Sequence, residues 1–259
     1  MITAAALDRD AGVARAIARV EGFNPASNGA YIRYHRQRCI DDVAQLASAF
    51  PGARILNVGG RPYLFEAIAQ VAGLTVDTLD IAPDRDAATI ADLGLSVRCV
   101  DIEHAAQRQV LDLSPYDVVC MAEIFEHLRI DLVGTFRDLA GAMRPDAVLY
   151  LTTPNFYYAP NFLKMLATGR SGPHLVSEWN KLAGVGHMGH VREYAAGELA
   201  EFFRFTGFAV DRLIRRTTNP QALLGGGIKQ VPGRLLARGM TGLSDRFAQE
   251  LVFILRPAR

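Results

Sequence analysis

Residues 54–81 read RILNVGGRPYLFEAIAQVAGLTVDTLDI, and this stretch decides the fold. Arg54–Val58 is a short apolar run ending in the pair Gly59-Gly60, the pattern of a strand entering a tight turn. Phe65, Ile68, Ala69 and Val71 then recur at helical spacing, and Gly73 closes that helix. Residues 74–81 are again a strand-like run. Strand, glycine turn, helix, strand is a βαβ unit, which predicts a parallel sheet with right-handed crossovers.

The alternation continues downstream. A helix over 84–93 ends at Gly94, and residues 95–102 form the third strand. A helix over 105–113, a strand over 116–122, a helix over 129–143 and a strand over 147–153 follow. Residues 156–193 break the rhythm. They carry Phe156, Tyr157, Tyr158, His174 and Trp179 without a clear period, the pattern of a lid or binding loop. The rhythm resumes with a helix over 195–206, a strand over 208–216, a helix near 232–240 and a last strand over 249–256. Upstream, 8–20 and 30–50 read as helices. The expected organisation is an N-terminal helical segment, 1–50, that closes over a ligand site. An α/β domain spans 51–259, with an acceptor-binding insertion at about 156–193.

Composition narrows the function classes. Half of the 259 residues are hydrophobic and 21% are charged, which builds a core and excludes wholesale disorder. Twenty-eight Lys and Arg stand against 27 Asp and Glu, a net charge of +1, so there is no electrostatic footprint for nucleic acid. No apolar run approaches the roughly 18 residues of a membrane span. The N-terminal stretch has charges within its apolar run, unlike a secretory signal. Cys39, Cys99 and Cys120 are scattered and odd in number, which reads as reduced thiols in a cytoplasmic protein.

Ligands of open α/β sheets bind outside the carboxyl ends of the strands. Four strand ends here carry candidate groups. Asn57, Gly59, Gly60 and Arg61 follow the first strand, where glycines let backbone N–H groups approach a ligand. Asp80, 21 residues after Gly59, ends the second strand with a carboxylate suited to both hydroxyls of a ribose. Asp101 ends the third, and Ala122-Glu123 ends the fourth. The order points to a nucleoside-type ligand. A nicotinamide dinucleotide is disfavoured, because no later glycine completes G-x-G-x-x-G.

In ILNVGG, LDI, VDIEH, YDVVCMAEIFEHL, RPDAVLYLTTPN and GHVREYAAGELAEFFRFTGF the chain resembles the class I S-adenosylmethionine-dependent methyltransferases. The resemblance covers residue 54 to the C-terminus. It implies a Rossmann-like α/β fold: a mostly parallel seven-stranded sheet with an antiparallel last strand and helices on both faces. It also implies S-adenosylmethionine as cofactor. Gly59, Gly60 and Arg61 would line its methionine part, Asp80 and Ile81 its ribose, Asp101 and Ile102 its adenine, and Met121 and Ala122 its amino-acid end. The sequence departs from the family pattern at the first strand. Asn57 stands where the family has an acid, and Arg61 and Tyr63 occupy later glycine positions.

The implied reaction is methyl transfer to a hydroxyl of a small molecule or glycan. Such a hydroxyl needs a base or a metal to lose its proton. Glu123, Glu126 and His127, three and four apart, would share a face of the first helical turn after the fourth strand, with His127 as general base. His190, in the GHMGH stretch with His187, would join them. The same trio with His190 could instead ligate a divalent cation, as in some O-methyltransferases, although the reading expects no metal. A partner-binding module without catalysis and an RNA ribose 2′-O-methyltransferase are the alternatives.

Overall fold

The structure, a computed structural model, describes residues 2–23, 25–170, 176–177, 179–180, 189–218 and 231–258. Seven strands form one sheet: β1 (Arg54–Val58), β2 (Thr75–Asp80), β3 (Ser96–Cys99), β4 (Val118–Ala122), β5 (Val148–Pro154), β6 (Phe208–Arg216) and β7 (Glu250–Pro257). Their order is β3-β2-β1-β4-β5-β7-β6. β2 pairs parallel with β1 and β3, and β1 pairs parallel with β4. β7 runs antiparallel to β6. The sheet is therefore mixed, mostly parallel, with helices around it. No helix among the described residues is long and apolar enough to cross a membrane.

The chain divides into two compact units. The first is Met1–Cys120 with Gly141–Leu149. It holds α1 (Ala4–Asp8), α2 (Ala11–Phe23), α3 (Pro25–Ala49), α4 (Leu64–Val71), α5 (Ala87–Leu93) and α6 (Ala105–Arg108). Val13, Ile17 and Val20 line one buried face of α2, which packs on α3 and α4. β1 is buried at every residue after Arg54, as a strand covered on both faces must be.

The second unit is Met121–Ala140 with Tyr150–Arg259. α7 (Leu132–Ala142) runs across the division, and α8 (Ala159–Thr168), α9 (Ala196–Phe205) and α10 (Val231–Leu243) follow it. A cluster of aromatic rings forms its core. Phe125 lies 5.2 Å from Phe136, 5.1 Å from Tyr194, 5.5 Å from Phe202 and 5.7 Å from Phe203, ring centre to ring centre. Phe203 also meets Phe253 of β7. The edge-to-face angles, near 70° for Phe125, suit the ring quadrupoles.

Several element bounds differ from the sequence reading. Three helices stand where two, 8–20 and 30–50, were expected: Thr3 caps a separate α1 that starts at Ala4, and Asp10 caps α2, which starts only at Ala11. Asp10 Oδ1 accepts from the N–H groups of Gly12 and Val13. The third strand stops at Cys99, and Asp101 turns the chain by accepting from Glu103 N at 2.9 Å. The following helix ends at Arg108 rather than 113. β6 carries a register shift between Val210 and Arg212, where Asp211 bulges and pairs with Arg256.

The aromatic core gives the first test. Phe125 is 1% exposed, and its ring contacts seat the turn that it begins. Phe125→Ala should destabilise the protein by about 3–5 kcal/mol, read as a lower urea midpoint at unchanged slope. A loss below about 1 kcal/mol would show that the cluster does not anchor that turn.

Candidate functional site

The loop after β1 is built on glycine. Gly59 has φ +81°, the left-handed region that glycine enters freely. A Cβ at Gly60 would lie 2.6 Å from the Tyr63 ring and 2.8 Å from a Glu66 oxygen, so no larger residue fits. Tyr63, fully buried, is itself left-handed at φ 68° and begins α4. The Asp80 carboxylate ties this loop to the end of β2. Its Oδ2 accepts from Gly60 N at 3.1 Å and Arg61 N at 3.3 Å, and its Oδ1 accepts from Ala82 N at 3.0 Å. Three of a carboxylate's roughly four acceptor positions are thus filled.

Beneath the loop lies a buried polar network. Glu66 Oε1 accepts from Asn57 Nδ2 and from the Thr78 hydroxyl, both at 2.8 Å. Burial raises the Glu66 carboxyl to about 7, against the pull of those two donors. Asn57 Oδ1, Tyr63 Oη and Glu66 Oε2 are buried and have no hydrogen-bond partner among the described residues. Burial also pushes the Tyr63 hydroxyl up. Glu66 is the residue the sequence reading missed. The helical pattern of LFEAIAQV placed it in α4, and nothing in that pattern singles out one acid facing Asn57.

The other predicted groups fall at strand ends. The Arg61 side chain pairs with Asp86 at 2.9 Å. Ile81 is exposed, Ile102 is buried, and Asp101 Oδ1 is engaged by Glu103 N. Met121 is fully buried near the end of β4, and Ala122 is half-buried.

In the second unit Glu123, Glu126 and His127 do not share a helical face. Residues 125–127 form a single 3₁₀ turn, and α7 begins only at Leu132, where Asp131 Oδ1 accepts from Gly134 N. This corrects the helical placement. Glu123 adopts φ 58°, sparsely populated for a residue with a side chain, and strain of that kind gathers at functional sites. Its N–H donates to Thr152 O, and its Oε1 accepts from the Thr152 hydroxyl at 3.3 Å.

The turn brings Glu126, His127 and His190 together, with one ligand-type atom from each within 4.8 Å of the others. Glu123 is not part of that group. Glu126 is fully buried, and its Oε2 accepts from the Thr153 hydroxyl at 3.0 Å. Its Oε1 lies 3.9 Å from His127 Nε2 and 3.8 Å from His190 Nε2. Glu193 holds His190 Nδ1 at 3.2 Å, and Val191 N donates to the Glu126 carbonyl. A buried carboxylate between two half-buried imidazoles can orient a base, hold the imidazolium it becomes, or supply ligands to a divalent cation. His187 and His174 lie outside the described residues. Trp179 is exposed.

A profile of the "Methyltransferase domain" family matches residues 31–213. The ubiquinone biosynthesis O-methyltransferase of Xanthomonas campestris pv. campestris (strain B100) is 34% identical over 113 residues, 41% of this chain and 45% of that protein. The chain thus matches under half the length of that relative. Among solved structures, a Burkholderia thailandensis 1,6-didemethyltoxoflavin-N1-methyltransferase is similar with a TM-score of 0.55 at 14% identity, covering 95% of this chain and 89% of that one. An S-adenosylmethionine-dependent methyltransferase from Mesorhizobium loti is similar with a TM-score of 0.52 at 19% identity, covering 82% and 95%. At these identities the structures speak for the fold.

The network under the loop makes stability depend on pH. The folded Glu66 carboxyl, near 7, lies above the ordinary glutamate value of about 4.5. Folding therefore retains a proton that the unfolded chain releases, and stability falls as pH rises from about 4.5 to about 7. The full decline from this group is on the order of 3 kcal/mol. Glu66→Gln keeps an acceptor for Asn57 and Thr78 and should flatten that decline. Urea unfolding of both proteins across this range measures it, and parallel curves would remove Glu66 as the source.

Proposed function

The chain belongs to the class I S-adenosylmethionine-dependent methyltransferase family, and we propose that it methylates a hydroxyl of a small molecule or glycan. The observation that carries this reading is the His127 imidazole beside the buried Glu126 carboxylate and His190. A hydroxyl is a poor nucleophile until it loses its proton, and an imidazole backed by a carboxylate is the usual acceptor of that proton near neutral pH. The matched ubiquinone biosynthesis O-methyltransferase, by its name, also methylates oxygen.

The loop after β1 suits the cofactor. Gly60 packs directly on the Tyr63 ring and Glu66, and Asp80 accepts from the Gly60 and Arg61 N–H groups, so the loop is held in one shape at the strand ends. In this reading Gly59, Gly60 and Arg61 face the methionine part, and Asp101 and Ile102 the adenine. Met121 and Ala122 face the amino-acid end. Asp80, with Ile81 beside it, has one acceptor position left for a ribose hydroxyl, rather than the two bonds the sequence reading assigned. Bound S-adenosylmethionine supplies a methyl group on sulfur for in-line displacement by the acceptor oxygen.

The residues of the turn do the rest. His127 removes the acceptor's proton as the bond to carbon forms. Glu126 stabilises the resulting imidazolium, and Thr153 fixes the Glu126 carboxylate. His190, oriented by Glu193, borders the same space. Glu123, tethered to Thr152, orients the acceptor. A second reading has Glu126, His127 and His190 ligating a divalent cation that lowers the hydroxyl's pKa, a role their mutual spacing also permits.

Calorimetric titration with S-adenosylhomocysteine, with and without magnesium, comes first. Micromolar affinity is expected, and no binding at millimolar ligand would defeat the reading. With an acceptor identified by screening, His127→Ala should lower kcat by about 10²–10³-fold while leaving homocysteine-nucleoside affinity unchanged. Equal losses in both would make His127 a cofactor contact. Activity should survive exhaustive EDTA treatment, whereas its loss, restored by magnesium, would favour the metal reading.

A further inference from the structure

A cavity of about 560 Å³ lies within the second unit, lined in part by Asn155, Tyr157, Phe162, Arg215, Arg246 and Phe247. That size falls among small-molecule sites, roughly 300–1,000 Å³. One side is aromatic: Phe162 stands 5.9 Å from Tyr157 and 6.0 Å from Phe247. Arg215 and Arg246 also line it. We propose that this cavity is a binding site for a planar ring bearing an anionic substituent, carboxylate or phosphate, with the ring against the aromatic wall and the anion on Arg215 and Arg246.

The wall that carries Arg246 is built rather than incidental. Asn155 Nδ2 donates to the Arg246 and Ala248 carbonyls, both at 2.8 Å, and Asn155 N donates to Gln249 O at 3.0 Å. Arg246 N donates to the Ser244 hydroxyl at 3.2 Å. The backbone that presents the guanidinium is therefore fixed to the end of β5. Arg246 has no carboxylate partner among the described residues. Arg215 reaches Asp245 at 3.8 Å, a loose contact to an exposed acid. Such a pair is weak, and a bidentate bond to an anion is stronger. The acid that lines the cavity, Glu198, is already engaged by Ala195 N at 2.8 Å and by Arg192. Its charge is met within the cap of α9.

The position ties the cavity to the candidate base. Asn155 follows by two residues Thr153, whose hydroxyl holds Glu126. Two residues of extended chain span at most about 7 Å. Ala195, on the cavity wall, follows His190 by five residues. Resting on the hydroxyl-methylation reading, the ligand is the acceptor itself, its anion at Arg215 and Arg246 and its hydroxyl toward β5. The binding site stands or falls separately.

The test uses the whole chain and three probes, 2-naphthoate, 1-naphthyl phosphate and 2-naphthol, titrated calorimetrically with and without S-adenosylhomocysteine. At least one anion should bind about tenfold or more tightly than the neutral naphthol. Whichever anion binds better assigns the substituent. Arg246→Gln, at an exposed position, and Arg215→Gln should each remove most of that preference and leave naphthol affinity unchanged. Equal affinity for anion and naphthol, or an anion preference unaffected by both substitutions, overturns the site. Anion selectivity without homocysteine-nucleoside binding keeps the site and defeats the methyl-transfer reading. Homocysteine-nucleoside binding without anion selectivity does the reverse.

Discussion

The Asp80 carboxylate fixes the loop after β1, and much of the first unit depends on that bond. A parallel pair leaves the ends of β1 and β2 side by side, each with backbone N–H groups that the ladder no longer uses. Asp80 accepts from Gly60, Arg61 and Ala82, so one side chain satisfies donors on both segments. The turn can then be tight enough to start α4 at Leu64, and its tightness is what demands glycine at positions 59 and 60. Glu66, in the first turn of α4, is carried under the loop by the same geometry.

That placement explains how an unusual glycine motif can hold together. Asn57 is neutral where the family has an acid, yet a carboxylate stands within hydrogen-bond distance of it. That acid stands on the helix rather than on the strand. It is fully buried and meets two neutral donors rather than a cation, which is why its carboxyl is raised rather than lowered.

The alternation of strands and helices was legible because each element carries its own period and its own stop: Gly73, Gly94 and Pro145 all end elements. The order of strand ends was legible for the same reason. Three things were not. Glu66 sits in a helix whose neighbours are also buried, so its direction depends on packing that no local pattern encodes. The Glu123–His127 segment has helical spacing, but a left-handed residue and a single 3₁₀ turn intervene, set by the ring contacts of Phe125 and the cap at Asp131. Asn155 reads as the end of a strand. Its role in pinning residues 246–248 depends on a pairing across some ninety positions of sequence.

The two edges of the sheet are also instructive. An exposed edge offers unpaired N–H and C=O groups to any other strand. β3 is only four residues long. β6 is nine residues long, but its bulge at Asp211 bends it, and Asp211, Arg212, Arg215 and Arg216 place charge along it. One edge is too short to recruit a neighbour and the other too bent and too charged. Neither edge therefore offers a long, straight row of unpaired backbone groups to another strand.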